Sequence, residues 1–285
     1  MILVTGGSGQ VAQALAAAGR GRDLRVAGRP AFDFDRPETL HALLDTAAPA
    51  LVVNAAAYTA VDKAETAPDA ALRANRDGPA ALAVWCAQHG ARLIHISTDY
   101  VFDGLKGAPY VEADPTSPTG VYGASKLAGE QAVLASGAAA LVLRTSWVYA
   151  PTGKNFILTM LNAARRTDRL RVVADQHGCP TAAADLAEAI LALADRWDGR
   201  DGGVLHAAGS GATTWHGLAV AAFTRAARHG LRPPAVDAIA TADWPTPARR
   251  PPDSRLDCGR LADRFGIVLP AWQDSVARTV DAVLA

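Results

Sequence analysis

Cysteine is scarce: three in 285 residues, Cys86, Cys179 and Cys258, with no Cys-x-x-Cys spacing. That excludes a disulfide framework and a thiolate zinc site, suits a reducing compartment, and makes each thiol an expected buried filler. None of the seven histidines is spaced as a zinc pair, and His95, inside a strand-like run, reads as a core or paired residue. An excess of one charge is also missing. Lys plus Arg and Asp plus Glu each count 28, and Arg165-Arg166 and Arg249-Arg250 are the only tight basic pairs, so no nucleic-acid face is expected. No apolar run is long enough to span a bilayer. A strand-like run opens at Met1, so no signal peptide is expected before the fold, and a cytoplasmic location is expected.

What is present is an alternation of strand-like and helical runs, which predicts an α/β fold with a doubly wound parallel Rossmann sheet. The short apolar run Met1-Ile2-Leu3-Val4-Thr5 leads into Gly6-Gly7-Ser8-Gly9-Gln10-Val11-Ala12 and then a helix over residues 13–18. Further strands are expected at residues 24–27, 51–54, 92–97 and 141–145, with helices at 37–47, 75–89 and 121–136. Beyond these, helices are expected over 155–167 and 183–197, and Thr214 is placed to cap another. The proline-rich stretch 232–257 has little periodicity and reads as loop. The expected division is a dinucleotide-binding domain over 1–146, to which 183–210 returns, and a smaller, partly discontinuous substrate lobe over 147–182 and 211–285.

Two motifs carry chemistry. Gly6-x-x-Gly9-x-x-Ala12 allows a tight strand-to-helix turn whose backbone approaches a pyrophosphate resting on the helix N-terminus. The second expected strand ends in Gly28-Arg29, where an NAD site usually carries an acid. Arg29 is suited to a 2′-phosphate, which favours NADPH over NADH, and Asp33 and Phe34 are placed to close over the adenine side. In Tyr122-Gly123-Ala124-Ser125-Lys126, phenol and ammonium are four residues apart and share a helix face. The ammonium is expected to lower the phenol pKa, making Tyr122 a usable proton donor.

Beside these motifs stand Asn54-Ala55-Ala56-Ala57-Tyr58-Thr59-Ala60-Val61-Asp62-Lys63-Ala64-Glu65, the run from Ser97-Thr98-Asp99-Tyr100 to Gly104, Arg144-Thr145-Ser146-Trp147-Val148-Tyr149, the run from Asp175 to Thr181, and Arg250-Pro251 through Ser254. On these the chain resembles the extended short-chain dehydrogenase/reductases and, within them, the dTDP-4-dehydrorhamnose reductase family, over nearly its full length. The resemblance implies an NADPH-dependent oxidoreductase, possible with NADH too, that reduces the C4 ketone of a dTDP-sugar, dTDP-4-dehydro-6-deoxy-L-mannose, to dTDP-L-rhamnose. It implies that Thr98 binds the ketone oxygen, Tyr122 protonates it, and Lys126 holds the nicotinamide ribose. Gly9, Gln10 and Val11 would cradle the pyrophosphate, with Gly6 in the turn; Ala57, Tyr58 and Thr59 would line the cofactor, and Asp99 and Trp147 would reach the substrate. Some family members bridge a dimer through magnesium on two glutamates. The corresponding positions here are Ala14 and Ala184, with Asp185 about 100° round the helix, so no metal is expected and the chain reads as a monomer or a weak homodimer. Two alternatives stay open: another sugar-nucleotide reductase or epimerase, such as a GDP-fucose synthase or a UDP-glucose 4-epimerase, and a non-catalytic regulatory subunit of methionine adenosyltransferase.

Overall fold

A computed structural model describes residues 1–285. The chain opens with β1 (Ile2–Thr5), α1 (Gln10–Ala18), β2 (Leu24–Ala27), α2 (Pro37–Ala47) and β3 (Leu51–Asn54). Every residue of β3 is buried, as expected for a parallel strand covered on both faces by helices. Three helices follow: α3 (Val61–Ala64), α4 (Pro68–Leu72) and α5 (Gly78–His89). Between the last two lies a widened π turn, Arg73–Asp77. The expected helix over 75–89 therefore starts later as regular α-helix, because the backbone at Asn75 is diverted toward the site.

Next come β4 (Arg92–Thr98), α6 (Val121–Ala135) and β5 (Ala139–Thr145). Residues 148–182 hold β6 (Val148–Tyr149), α7 (Phe156–Ala164), β7 (Arg169–Val173), β8 (His177–Gly178) and β9 (Thr181–Ala182). Then α8 (Ala183–Arg196) and β10 (Gly203–His206) come back to the first half of the chain. The last part contains β11 (Thr213–Thr214), α9 (Trp215–Ala227), β12 (Ala235–Ile239), α10 (Gly259–Phe265) and α11 (Trp272–Leu284). Thr214 caps α9, its hydroxyl accepting from Gly217 N at 3.0 Å.

The main sheet is six-stranded in the order β10-β5-β4-β3-β1-β2, and all of its pairings are parallel. Strand order reverses between β1 and β3, which opens a crevice at their carboxyl ends. One sheet face packs Val4, Val53, Ile94 and Leu141 against α1 and α8 through Leu15, Leu186 and Ile190. The other packs Leu3, Val52, Leu93 and Val142 against α2 and α5 through Leu40, Leu44, Leu82 and Cys86. A separate core joins α7, α9 and α11 through Ile157, Leu161, Leu218, Phe223, Val276 and Val280.

Stretch 232–257, expected to be dominated by loop, also contains β12, paired in parallel with β7 from Ala235↔Arg169 to Ile239↔Val173. Its five residues alternate only weakly between half-buried and exposed, too faint a signal among the prolines.

Candidate active site

The glycine turn is built by close approach. Gly6 (φ +111°) and Gly7 (φ +50°) lie where side chains are disfavoured. A Cβ on Gly6 would lie 2.8 Å from the Ala55 backbone, and one on Gly7 2.9 Å from Gly28 Cα. Gly9 begins α1 without any side-chain cap, so the first N–H groups of that helix face the crevice unclaimed. Ala12, the small third position, is fully buried against the sheet. The Gln10 amide reaches instead to the residue that caps α7, accepting from Asn155 Nδ2 at 2.8 Å. The cleft continuing from this turn has a volume of about 990 Å³, ample for a dinucleotide together with a substrate. Val11, Ala57, Tyr58, Thr59, Phe34 and Trp147 line it.

At its far end Arg29 does not stand free. Its Nε lies 2.9 Å from Asp33 and its Nη2 2.9 Å from Asp35, while Arg73 also reaches Asp35 at 3.3 Å. Burial opposes ionisation of Asp33, but the Asp35 backbone N–H and the Arg29 guanidinium outweigh it and hold the carboxyl below its ordinary value. Phe34 packs on Gly78, where a Cβ would come within 2.1 Å of the ring.

Asn75, in the π turn, organises the middle of the cleft and carries no sequence motif. Its Oδ1 accepts from Tyr58 N at 2.8 Å, and its Nδ2 donates to Tyr58 O at 3.1 Å and to Ser125 Oγ at 3.0 Å. It thereby ties the loop after β3 to α6. That helix carries glycines at 123 and 129, each costing about 1 kcal/mol of helix propensity. The reason is proximity: a Cβ would lie 2.1 Å from Tyr100 O at Gly123 and 1.9 Å from Asn75 O at Gly129.

Thr98, Tyr122 and Lys126 converge at the carboxyl end of β4, all lining the cleft. Lys126 is buried, and its Nζ donates to Ile96 O at 2.6 Å. Burial lowers its pKa to about 8, partly offset by Glu130 one turn on, so it keeps its proton at neutral pH. Glu130 is itself held by the buried Arg144, Nη2 to Oε2 at 2.7 Å. The expectation that Lys126 would depress the Tyr122 phenol is not met. Burial and the nearby Asp99 charge raise the phenol to about 12, a rise the Thr98 hydroxyl moderates, and the ammonium is turned to Ile96. Tyr122 therefore holds its proton firmly, which suits a donor. Tyr100 meets its ring edge-on at 5.8 Å.

Asp99 is buried behind Thr98. The Thr98 hydroxyl donates to its Oδ1 at 3.0 Å and Ser254 Oγ donates to its Oδ2 at 2.5 Å. Trp147, the other residue expected at the substrate, adopts φ +46°. It stacks on Trp215 with centroids 3.5 Å apart and planes at 6°. Gly178 makes room, since a Cβ there would come within 2.4 Å of the Trp147 ring. Trp215 has no local motif; its role emerges only from the stack.

Segment 61–65 supports the site from outside. Glu65 Oε1 accepts from Val121 N at 2.8 Å and so caps α6 across 56 residues. Asp62 holds Arg250 Nη2 at 3.0 Å and accepts from Ala248 N at 3.2 Å. At the position considered for a metal, the Asp185 carboxylate is taken by Arg278 at 2.6 Å and by Ser275 Oγ.

The parallel sheet, the glycine turn at its switch point and the Tyr-x-x-x-Lys helix beside it define a Rossmann-type oxidoreductase of the short-chain dehydrogenase/reductase kind. More narrowly, the chain belongs to the family described as the RmlD substrate binding domain, whose model matches residues 1–285. It is 46% identical over 288 residues to the dTDP-4-dehydrorhamnose reductase of Sinorhizobium fredii, covering 99% of this chain and 97% of that one. Among solved structures, a dTDP-4-dehydrorhamnose reductase from Clostridium acetobutylicum is 34% identical with a TM-score of 0.93, covering 100% of this chain and 99% of that one. The enzyme of the same name from Bacillus anthracis, solved in complex with NADP, is 31% identical with a TM-score of 0.91, covering 98% and 97%.

Proposed function

We propose that this protein uses NADPH to reduce the C4 ketone of dTDP-4-dehydro-6-deoxy-L-mannose, giving dTDP-L-rhamnose. The observation that carries the reading is the placement of Thr98, Tyr122 and Lys126 in one cleft with the glycine turn. The backbone of residues 6–11, drawn into a tight turn by the close approaches at Gly6 and Gly7, fits a pyrophosphate at the start of α1. Ala57, Tyr58 and Thr59 flank the cofactor, and Arg29, Asp33 and Phe34 meet its adenosine. Bound NADPH supplies a hydride.

The remaining chemistry belongs to the chain. Thr98 holds the ketone oxygen, Tyr122 gives that oxygen its proton, and Lys126 orients the nicotinamide ribose. A phenol raised by burial stays protonated throughout the physiological range, so the donor is always loaded. Residues 147–182 and 211–285 form the substrate lobe. In it Trp147 presents an aromatic face to the sugar nucleotide, while Asp99, at the end of β4, acts on the sugar through Thr98, behind which it is buried. The two lobes work as one unit, without a metal at the reacting carbon, since the phenol and the hydroxyl supply both proton and polarisation.

The test is NADPH oxidation against a panel of 4-keto sugar nucleotides bearing thymine, uracil or guanine. Turnover confined to the dTDP-4-keto-6-deoxy sugar supports the reading. Preference for a GDP- or UDP-sugar, tightly retained NAD, or no turnover with any member overturns it.

A further inference from the structure

Asp99 sits in an unusual electrostatic position for a carboxyl within a reaction site. It is 2% exposed, and no cation touches it. Its two oxygens accept from hydroxyls, Thr98 Oγ1 at 3.0 Å and Ser254 Oγ at 2.5 Å, and the backbone N–H groups of Asp99 and Tyr100 add weaker support to the charge. Ser254 comes from the opposite lobe, 155 residues away in sequence, and is 1% exposed. Its backbone is fixed as well, with Ser254 N donating to His177 O at 2.9 Å and Pro252 O accepting from His177 N at 2.8 Å. The contact is therefore a built one.

Its consequence follows from counting protons. A threonine hydroxyl has one hydrogen and two acceptor sites. Thr98 Oγ1 already accepts from Tyr100 N at 3.2 Å. While Asp99 is ionised, the single Thr98 hydrogen is committed to Oδ1, and Thr98 has nothing to donate to a ketone oxygen. Once Asp99 carries a proton, the bond reverses: the carboxyl donates to Thr98 Oγ1, and the Thr98 hydrogen is free to turn into the cleft.

Resting on the function proposed above, we infer that Asp99 and Ser254 are positioning residues that set the direction of the Thr98 hydroxyl. Ketone reduction then requires the protonated Asp99, and Ser254 tunes how readily that form appears. The other titratable groups facing Asp99 are Tyr100 beside it, Tyr122 on α6 and Cys179 after β8. The Arg250–Asp62 and Arg255–Asp253 pairs lie beyond them and are internally compensated. Burial raises Asp99 to about 7, and the Ser254 and Thr98 hydrogen bonds restrain the rise. The switch therefore falls within the working pH range. Because Ser254 donates to the ionised carboxylate, its hydroxyl opposes protonation and its removal favours it.

Kinetic and spectroscopic measurements test this. In wild type, single-turnover ketone reduction with saturating NADPH should fall as pH rises through about 7. In Ser254→Ala the same limb should move to higher pH by about one unit, the scale of one hydrogen bond to a charge, while Ser254→Thr restores the wild-type position. In Asp99→Asn, with no proton to lose, the limb should vanish. A support role in packing would lower the rate at every pH and leave the limb where it was, and that result overturns the inference. Infrared difference spectra of the folded protein give a readout that needs no substrate. A protonated-carboxyl band should disappear across neutrality and be missing from Asp99→Asn. Its absence in wild type sinks the inference whether or not the assigned substrate is correct, whereas failure of the substrate panel alone leaves this band intact.

Discussion

At the end of the cleft proposed for adenosine each charged group has an exposed partner; at the end proposed for the reaction, ionisable groups are enclosed without a counter-ion in contact. Arg29, with 69% of its side chain exposed, leans on Asp33 and Asp35. Lys126 and Asp99 are 2% exposed, Lys126 bonding to a carbonyl and Asp99 to hydroxyls and backbone N–H groups. Exposed pairs in high dielectric contribute little and rearrange readily, so under the proposed reading this end can exchange a carboxylate partner for a cofactor phosphate. Enclosed groups are governed by desolvation, which moves Lys126 down to about 8 and Asp99 up to about 7. One end of the cleft is adaptable and the other is tuned.

The largest expected effect breaks the tuned end. Tyr122→Phe keeps the ring that meets Tyr100 but removes the only proton the phenol offers. Turnover should fall by roughly 10²–10⁴-fold, while NADPH binding, followed by fluorescence titration, stays within about two-fold, since the lost hydroxyl acts on the ketone. Near-normal turnover would remove Tyr122 from the proposed role.

A second change disturbs geometry without removing a polar group. In Gly129→Ala the new methyl would fall 1.9 Å from Asn75 O, so α6 must lift from the π turn. Overpacking of this sort costs about 1–3 kcal/mol, read as a lower denaturation midpoint. Because Asn75 ties Tyr58 to Ser125, the KM for NADPH should rise as well. A loss of stability with an unchanged KM would separate the Asn75 contact from cofactor binding.

These two positions also mark what could be read from the sequence. Gly6, Gly9, Tyr122 and Lys126 belong to local patterns whose spacing is dictated by one turn or one helix, and they were legible for that reason. So was the sheet, since buried parallel strands are near-continuous apolar runs. Asn75 was hidden because a π turn has no recognisable composition. Ser254 and Glu65 stand out in the sequence only as parts of a family segment, because their partners lie 155 and 56 residues away. The phenol's raised pKa was illegible because i,i+4 spacing places Lys126 near Tyr122 but does not say where its ammonium points.

A smaller effect is expected where the tuned end is held from outside. Glu65→Ala removes the acceptor for Val121 N and leaves the start of α6 uncapped. Loss of an N-terminal cap costs about 0.5–2 kcal/mol, so the midpoint should drop modestly. Glu65→Gln keeps an acceptor oxygen and should recover most of it. Equal losses in both variants would assign the effect to charge at the helix terminus.

The smallest effect belongs to the adaptable end. Asp35→Asn frees Arg29 from one of its two carboxylates and leaves Asp33 in place beside the ribose position. The preference for NADPH over NADH, measured as a ratio of kcat/KM, should rise by about two- to five-fold, the scale set by one exposed ion pair. The gain should shrink at high ionic strength, where such interactions are screened beyond about 10 Å and less. Tyr122 and Lys126 are untouched, so kcat with saturating NADPH should not move. A ratio indifferent to both the substitution and the salt would mean that Arg29 takes no part in choosing the cofactor, and that the ion pairs around it serve only the fold.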